Sequence, residues 1–345
     1  MSSTTESPAA GGASRSHVIV AFAAVYLIWG STYLAIRFAV TTIPPFLMGA
    51  GRFLVSGVIL YAWARQRGAP APTRSQWRAA ALTGVLLLVG GNGAVIWAEQ
   101  HVASGMVALI VAVVPLWMVL LDWLRPGGTR PRPAVFVGLA LGLVGLALLL
   151  GPDTIARHGA QRLDIRAALV PVLGSLFWAL GSILSRYMPR PQSSQLSTGM
   201  QMLAGGAVFV VVSAIAAEPA RFNAAAVTAQ SLMGLVYLII FGSLIGYTAY
   251  VYLLRAATPA KVATYAYVNP VVAVILGSAV ADEPFTARMM VAAAVILGGV
   301  ALITLANGKM SPRTSGDPAA AYKDLRRRRG GELLDRPTVA PAHEP

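Results

Sequence analysis

Residues 102–121, VASGMVALIVAVVPLWMVLL, and residues 257–276, ATPAKVATYAYVNPVVAVIL, align without a gap. At an offset of 155 they match Val107 with Val262, Ala108 with Ala263, Val113 with Val268, Pro115 with Pro270, Val119 with Val274 and Leu121 with Leu276. The shared proline carries most of the weight, because proline cannot donate a backbone hydrogen bond and clashes with the preceding helical turn. In hydrocarbon, the freed carbonyls of Val111 and Ala266 are tolerated only where the backbone faces protein or a wet cavity. Pro115 and Pro270 therefore read as hinges beside a central cavity or as packing kinks.

Two further echoes extend the pattern. At an offset of 149, Leu27, Trp29 and Arg37 match Leu176, Trp178 and Arg186. At 154, Leu143, Gly145, Ala147 and Leu148 match Leu297, Gly299, Ala301 and Leu302. The offsets drift by only six residues, as loop insertions produce. Duplication of one unit explains this; the rival reading is that a bias toward Ala, Leu, Val and Gly makes any two apolar segments look alike.

Of the 345 residues, 56% are hydrophobic and 12% are charged. Soluble domains carry roughly twice that charged share. Apolar stretches long enough to cross a hydrocarbon core of about 30 Å recur along the chain. Ten spans are expected, at 18–38, 44–64, 79–98, 103–123, 133–151, 167–187, 196–217, 231–253, 260–281 and 288–306. The fold class is therefore an all-α integral membrane protein, with ten transmembrane helices as two five-helix repeats over 18–151 and 167–306. Related halves with an odd number of spans face opposite ways across the bilayer, so the repeats are inverted, the hallmark of alternating-access transporters. Residues 1–17 form a tail, 152–166 a connecting loop, and 307–345 a disordered basic tail rich in Pro, Gly and charge.

The net charge of +14 does not point to nucleic acid. With the N-terminus inside, twenty of the 27 Lys and Arg are cytoplasmic, six lie outside, and Arg52 alone falls within a span. The positive-inside rule then puts both termini in the cytoplasm. The weak point is the connection holding Arg157, Arg162 and Arg166. There is no cysteine, which removes disulfides and thiolate chemistry. The first apolar run has no convincing cleavage site and is read as a retained span.

Arg52 lies about 12 Å into its span at helical rise. An arginine there costs roughly 2.5–3.5 kcal/mol to insert, so it should face the bundle interior. Glu99, at the outer end of the third span, is the acid within reach, with Arg37 competing for it. A structural ion pair and attraction of a substrate carboxylate or phosphate are both open for Arg52. Glu99 and Arg37 are also the candidates for an ion pair or for coupling near the entrance. Polar and aromatic side chains gather in particular spans, which makes Trp29, Ser31, Arg52, Asn92, Trp178, Tyr247, Tyr265 and Asn269 the candidate substrate site. Spans one, three, four, six, eight and nine should line the pathway, with five and ten supporting them. Gly138, Gly142 and Gly145 offer a small-residue stripe for close packing.

No Asp, Glu or His stands mid-span, so no buried carboxylate relay is visible. Nor is there a phosphate-binding glycine loop, a metal-spaced His cluster or a nucleophile elbow. No cofactor, metal or catalytic residue is expected. The partners are a small-molecule substrate and membrane lipid, and the chain should work as a monomer.

Ile28-Trp29-Gly30-Ser31, Gly51-Arg52-Phe53-Leu54, Val113-Val114-Pro115-Leu116 and the run from Tyr265 through Asn269-Pro270 to Asp282-Glu283-Pro284 resemble the drug/metabolite transporter superfamily, specifically its EamA-type ten-span exporters. The resemblance covers about 18–306. It implies a bacterial inner-membrane protein of two inverted repeats that exports small metabolites or drugs, such as amino-acid-like or amphipathic compounds, by alternating access. An acidic residue usual after the fourth span is replaced here by Arg125-Pro126-Gly127-Gly128. The alternative function is a membrane-embedded transferase acting on a lipid-linked substrate, for which Glu99, His101, Asp282 and Glu283 are the only candidates. A small-multidrug-type obligate dimer is disfavoured because duplication already supplies both orientations.

Overall fold

The computed structural model describes residues 15–125, 132–150, 165–257, 262–263, 265–282 and 286–308, and every regular element among them is helical. Most of the expected tails and of the connecting loop, and Glu283-Pro284, lie outside the described residues; residues 15–17 and 307–308 of those tails are helical.

Among the described residues, seven helices are long and apolar enough to cross a bilayer: α1 (Arg15–Ala39), α2 (Pro45–Gln66), α3 (Arg74–Ala98), α4 (Ser104–Leu124), α6 (Ile165–Tyr187), α7 (Ser194–Ile215) and α8 (Ala229–Ala256). Three further apolar helices are α5 (Pro133–Leu150), α9 (Tyr265–Ala281) and α10 (Ala287–Gly308). Their outward faces are apolar. Val55 and Val58 of α2, Leu173 of α6 and Val211 of α7 are exposed, and Ile215 is 82% exposed. Exposed contiguous apolar surface on this scale belongs against lipid.

Helix starts follow their caps. The third helix begins at Arg74 rather than 79 because Thr73 and Gln76 form a capping box. Gln76 N donates to Thr73 Oγ1 (3.2 Å) and Thr73 N to Gln76 Oε1 (3.0 Å). Hydropathy alone misses this polar first turn. Glu218 caps α2 from a distance: its buried carboxylate accepts from Phe46 N (3.2 Å), Leu47 N (2.7 Å) and Ser213 Oγ (2.9 Å). An anion at a helix N-terminus is favoured by the unpaired amides and the helix dipole there.

The packing repeats under exchange of α1–α4 with α6–α9. Helix α1 packs on α9 as α6 packs on α4; α1 packs on α8 as α6 packs on α3; α2 packs on α8 as α7 packs on α3. The pairs α2/α7 and α4/α9 join equivalent helices directly. Glycines permit the closest of these approaches. A Cβ on Gly199 would stand 2.8 Å from Tyr61 N, and one on Gly299 would stand 2.6 Å from Gly138 O. The expected small-residue stripe of α5 thus meets a glycine of α10.

Two helices carry wide π-helical turns, Val85–Asn92 in α3 and Leu238–Tyr247 in α8. They begin 153 residues apart and end 155 apart, matching the repeat offset. The two prolines differ in setting. Pro270 lies inside α9, whereas α4 breaks at Ala112 and Val113 and Pro115 sits in the first turn of the following segment. A first-turn proline is tolerated because its missing N–H has no helical partner to lose.

Candidate functional site

A cavity lies in the middle of the bundle. It is lined from α1, α2, α3, α4, α6, α8 and α9. Arg52, expected in the site, brings α2 into the wall together with Phe53, although the second span was not among those expected to line the pathway; no described residue of α5 or α10 lines it.

Its aromatic floor is built where α1, α6, α8 and α9 converge. Trp29 and Trp178 meet edge to face with ring centroids 5.4 Å apart, and Trp29 also packs against Tyr250 (4.9 Å) and Tyr265 (5.5 Å). Trp29 Nε1 donates to Gly242 O (3.2 Å), a carbonyl of the α8 π segment. Trp178 Nε1 donates to Tyr250 OH (3.0 Å), and Ser182 Oγ lies 2.6 Å from the same hydroxyl. With its amide turned so that Nδ2 donates, Asn269 bridges Tyr26 O (3.1 Å) and Tyr265 O (3.2 Å). These bonds leave the rings little freedom to turn.

Arg52 supplies the cavity's charge. It is 3% exposed, its Nε donates to Ser243 Oγ (2.9 Å) and its Nη1 to Asn92 Oδ1 (3.3 Å). Its guanidinium also lies 4.8 Å from the Phe53 ring centroid. Among the described residues no carboxylate stands within ion-pair distance of Arg52, and Nη2 makes no hydrogen bond to protein. The expected Arg52–Glu99 pair is therefore not formed. Glu99 ends α3, one turn beyond the cavity-lining Val95, and finds its interactions elsewhere.

Trp29, Arg52, Asn92, Trp178, Tyr247, Tyr265 and Asn269 all line the cavity. Ser31 does not: its hydroxyl donates to Ile28 O (2.7 Å) and lies 2.6 Å from Tyr237 OH, on the α8 side of α1. Two residues away on a helix is the opposite face. Glu99 and Arg37 are likewise not among the lining residues. Val111 is on the wall, whereas Pro115 and Pro270 are not among the lining residues. At the other end of α4, Arg125 Nε lies 2.6 Å from Asp122 Oδ1, and this carboxylate holds the guanidinium above the ordinary arginine value.

Ser243, Ser175 and Gln201 were missed. Ser175 accepts from Trp117 Nε1 (2.9 Å), tying α4 to α6 at the cavity wall. Gln201 Oε1 accepts from Tyr247 OH (2.8 Å). The repeat offset held a signal for Gln201, since the 149 residues that carry Trp29 onto Trp178 also carry Arg52 onto Gln201.

The fold and cavity define a class: a multi-pass helical membrane transporter. The EamA-like transporter family is matched twice, over residues 16–151 and 165–305, and the chain belongs to that family. It is 38% identical over 283 residues to the uncharacterized inner membrane transporter YedA of Escherichia coli (strain K12), covering 82% of this chain and 89% of that one. An uncharacterized transporter of Bacillus subtilis (strain 168), YvbV, is 24% identical over 291 residues, covering 84% and 91%. One solved structure, described only as a crystal structure of a protein, superposes with a TM-score of 0.60 at 22% identity, over 84% of this chain and 98% of that chain. At that identity it speaks for the fold alone. The protein is thus a multi-pass membrane transporter of that family.

Proposed function

We propose that the chain exports small metabolites or drugs bearing an anionic group, such as amino-acid-like compounds, by alternating access. In this reading ten helices cross the membrane as two inverted repeats, 18–151 and 167–306, with both termini cytoplasmic, and the monomer suffices. The twofold family match, the exchange symmetry of the packing and the excess of Lys and Arg on one side support it.

The observation that carries the substrate class is Arg52. A buried guanidinium that meets only neutral acceptors, with one nitrogen turned from protein partners, lacks the anion that would offset its desolvation. A substrate carboxylate at Nη2 supplies it. Trp29, Trp178 and Tyr265 then receive the apolar body, while Tyr247 and Asn269 offer polar edges. Pro115 and Pro270 act as the hinges, and Glu99 with Arg37 forms the coupling pair at the entrance.

The test is binding. A ligand selective for the folded state raises apparent stability in proportion to its occupancy. Carboxylate compounds should raise the melting temperature of purified protein where their methyl esters do not; equal shifts from both would remove Arg52 from recognition.

A further inference from the structure

A second, smaller hollow lies between the first turns of α3 and α7 and the end of α6. Thr83, Ser185, Ser197 and Gln201 are on its wall, and Arg190 is the charged residue among the described residues that line it. It shares no lining residue with the central cavity. A hydrogen-bonded chain stands between the two. Tyr247 OH, on the central side, donates to Gln201 Oε1 (2.8 Å), and Gln201 Nε2 donates to Thr83 Oγ1 (3.1 Å). Gln201 is 4% exposed and both of its polar atoms are used there.

This chain is the counterpart of the Arg52 cluster. Gln201 follows Arg52 by 149 residues and Tyr247 follows Asn92 by 155. Arg52 reaches Asn92 in its own half and Ser243 in the other; Gln201 reaches Tyr247 in its own half and Thr83 in the other. One cluster borders the open central cavity and the other closes the way to the second cavity. Hydrogen bonds exchange with water at little net cost, which suits a closure that must part and re-form.

We infer that Gln201 is the gate between the substrate cavity and a vestibule, and that the second cavity is the vestibule through which the anionic substrate arrives. This rests on the transport reading above. Parting of the Tyr247–Gln201–Thr83 chain joins the two cavities on the face that carries Arg74 and Arg190.

The absence of cysteine makes the test direct. Thr32→Cys places a single thiol on the central cavity wall, and a membrane-impermeant maleimide is applied to vesicles from either face. Adding Gln201→Ala should raise labelling from the Arg74 and Arg190 face about tenfold, equivalent to about 1.4 kcal/mol against the closed state. Labelling from the opposite face should not rise, which also reports an intact bundle. Thr83→Val, which removes the bond from Gln201 together with the local donation of Thr83 Oγ1 to Ala79 O (2.8 Å) at little change in volume, should act in the same direction to a smaller degree. An unchanged rate from the vestibule face in both variants would overturn the gate. Flux of a labelled carboxylate in the same vesicles separates the two readings. Flux with an unchanged labelling rate sinks the gate alone, and a raised rate without flux sinks the transport reading alone.

Discussion

Trp29 and Trp178 stand at matching positions of the two halves, 149 residues apart, and touch edge to face at 5.4 Å in the centre of the bundle. Residues related by a repeat meet at the element that relates the halves, so this contact is where the two halves are keyed together. Edge-to-face aromatic pairs contribute about 0.5–1.5 kcal/mol beyond area burial. A double-mutant cycle of Trp29→Leu and Trp178→Leu, read by thermal unfolding in detergent, should return a coupling in that range; additive losses would deny the contact.

Arg52 is aimed by its two neutral partners. Asn92→Ala or Ser243→Ala removes one charge-assisted hydrogen bond, typically about 1.5–3 kcal/mol. Carboxylate affinity should fall by about tenfold or more in each variant, as those energies convert, while ester analogues bind as before. Titration calorimetry checks both.

Ser31 does not line the cavity, and its hydroxyl is engaged by Ile28 O and Tyr237 OH. Ser31→Ala should lower stability by about 1 kcal/mol, the net worth of an ordinary hydrogen bond, and leave substrate affinity as in the parent protein. A lost affinity at normal stability would return Ser31 to the cavity.

Gly299 is a point of close approach between α5 and α10. Gly299→Val drives a side chain against Gly138 O and Gly142 N, and overpacking of this kind costs about 1–3 kcal/mol. The melting temperature should fall, and a Gly138 substitution should add little further loss because both strike the same contact.

Glu99→Gln should flatten the dependence of flux on an imposed pH gradient while substrate still equilibrates down its own gradient, if coupling resides there as proposed. Flux that follows the pH gradient unchanged would place coupling elsewhere.

The helical class, the repeat and most of the cavity were legible in the sequence because each rests on local pattern. Length and apolarity reveal a membrane helix, and an offset reveals a duplication. Arg52 stood out because a mid-span charge is costly. What was hidden depends on facing: Ser31 sits two residues from Trp29 yet points to Tyr237, and composition does not report which side of α1 is wet. The neutral partners of Arg52 were hidden for the same reason, since Ser243 lies 191 residues away and reaches Arg52 from a π segment that hydropathy does not register. The capping box at Thr73 shows the converse, a local motif present in the sequence that a hydropathy window passes over.

Arg52 as the receptor for an anionic substrate is tested most directly in proteoliposomes. Labelled amino-acid-like carboxylates should be exchanged by the parent protein, and Arg52→Gln should reduce that exchange about tenfold to a hundredfold, the range expected on losing hydrogen bonds to a charged group. Esters of the same compounds should move at equal rates in both proteins. Equal carboxylate exchange by the parent and Arg52→Gln proteins would contradict it.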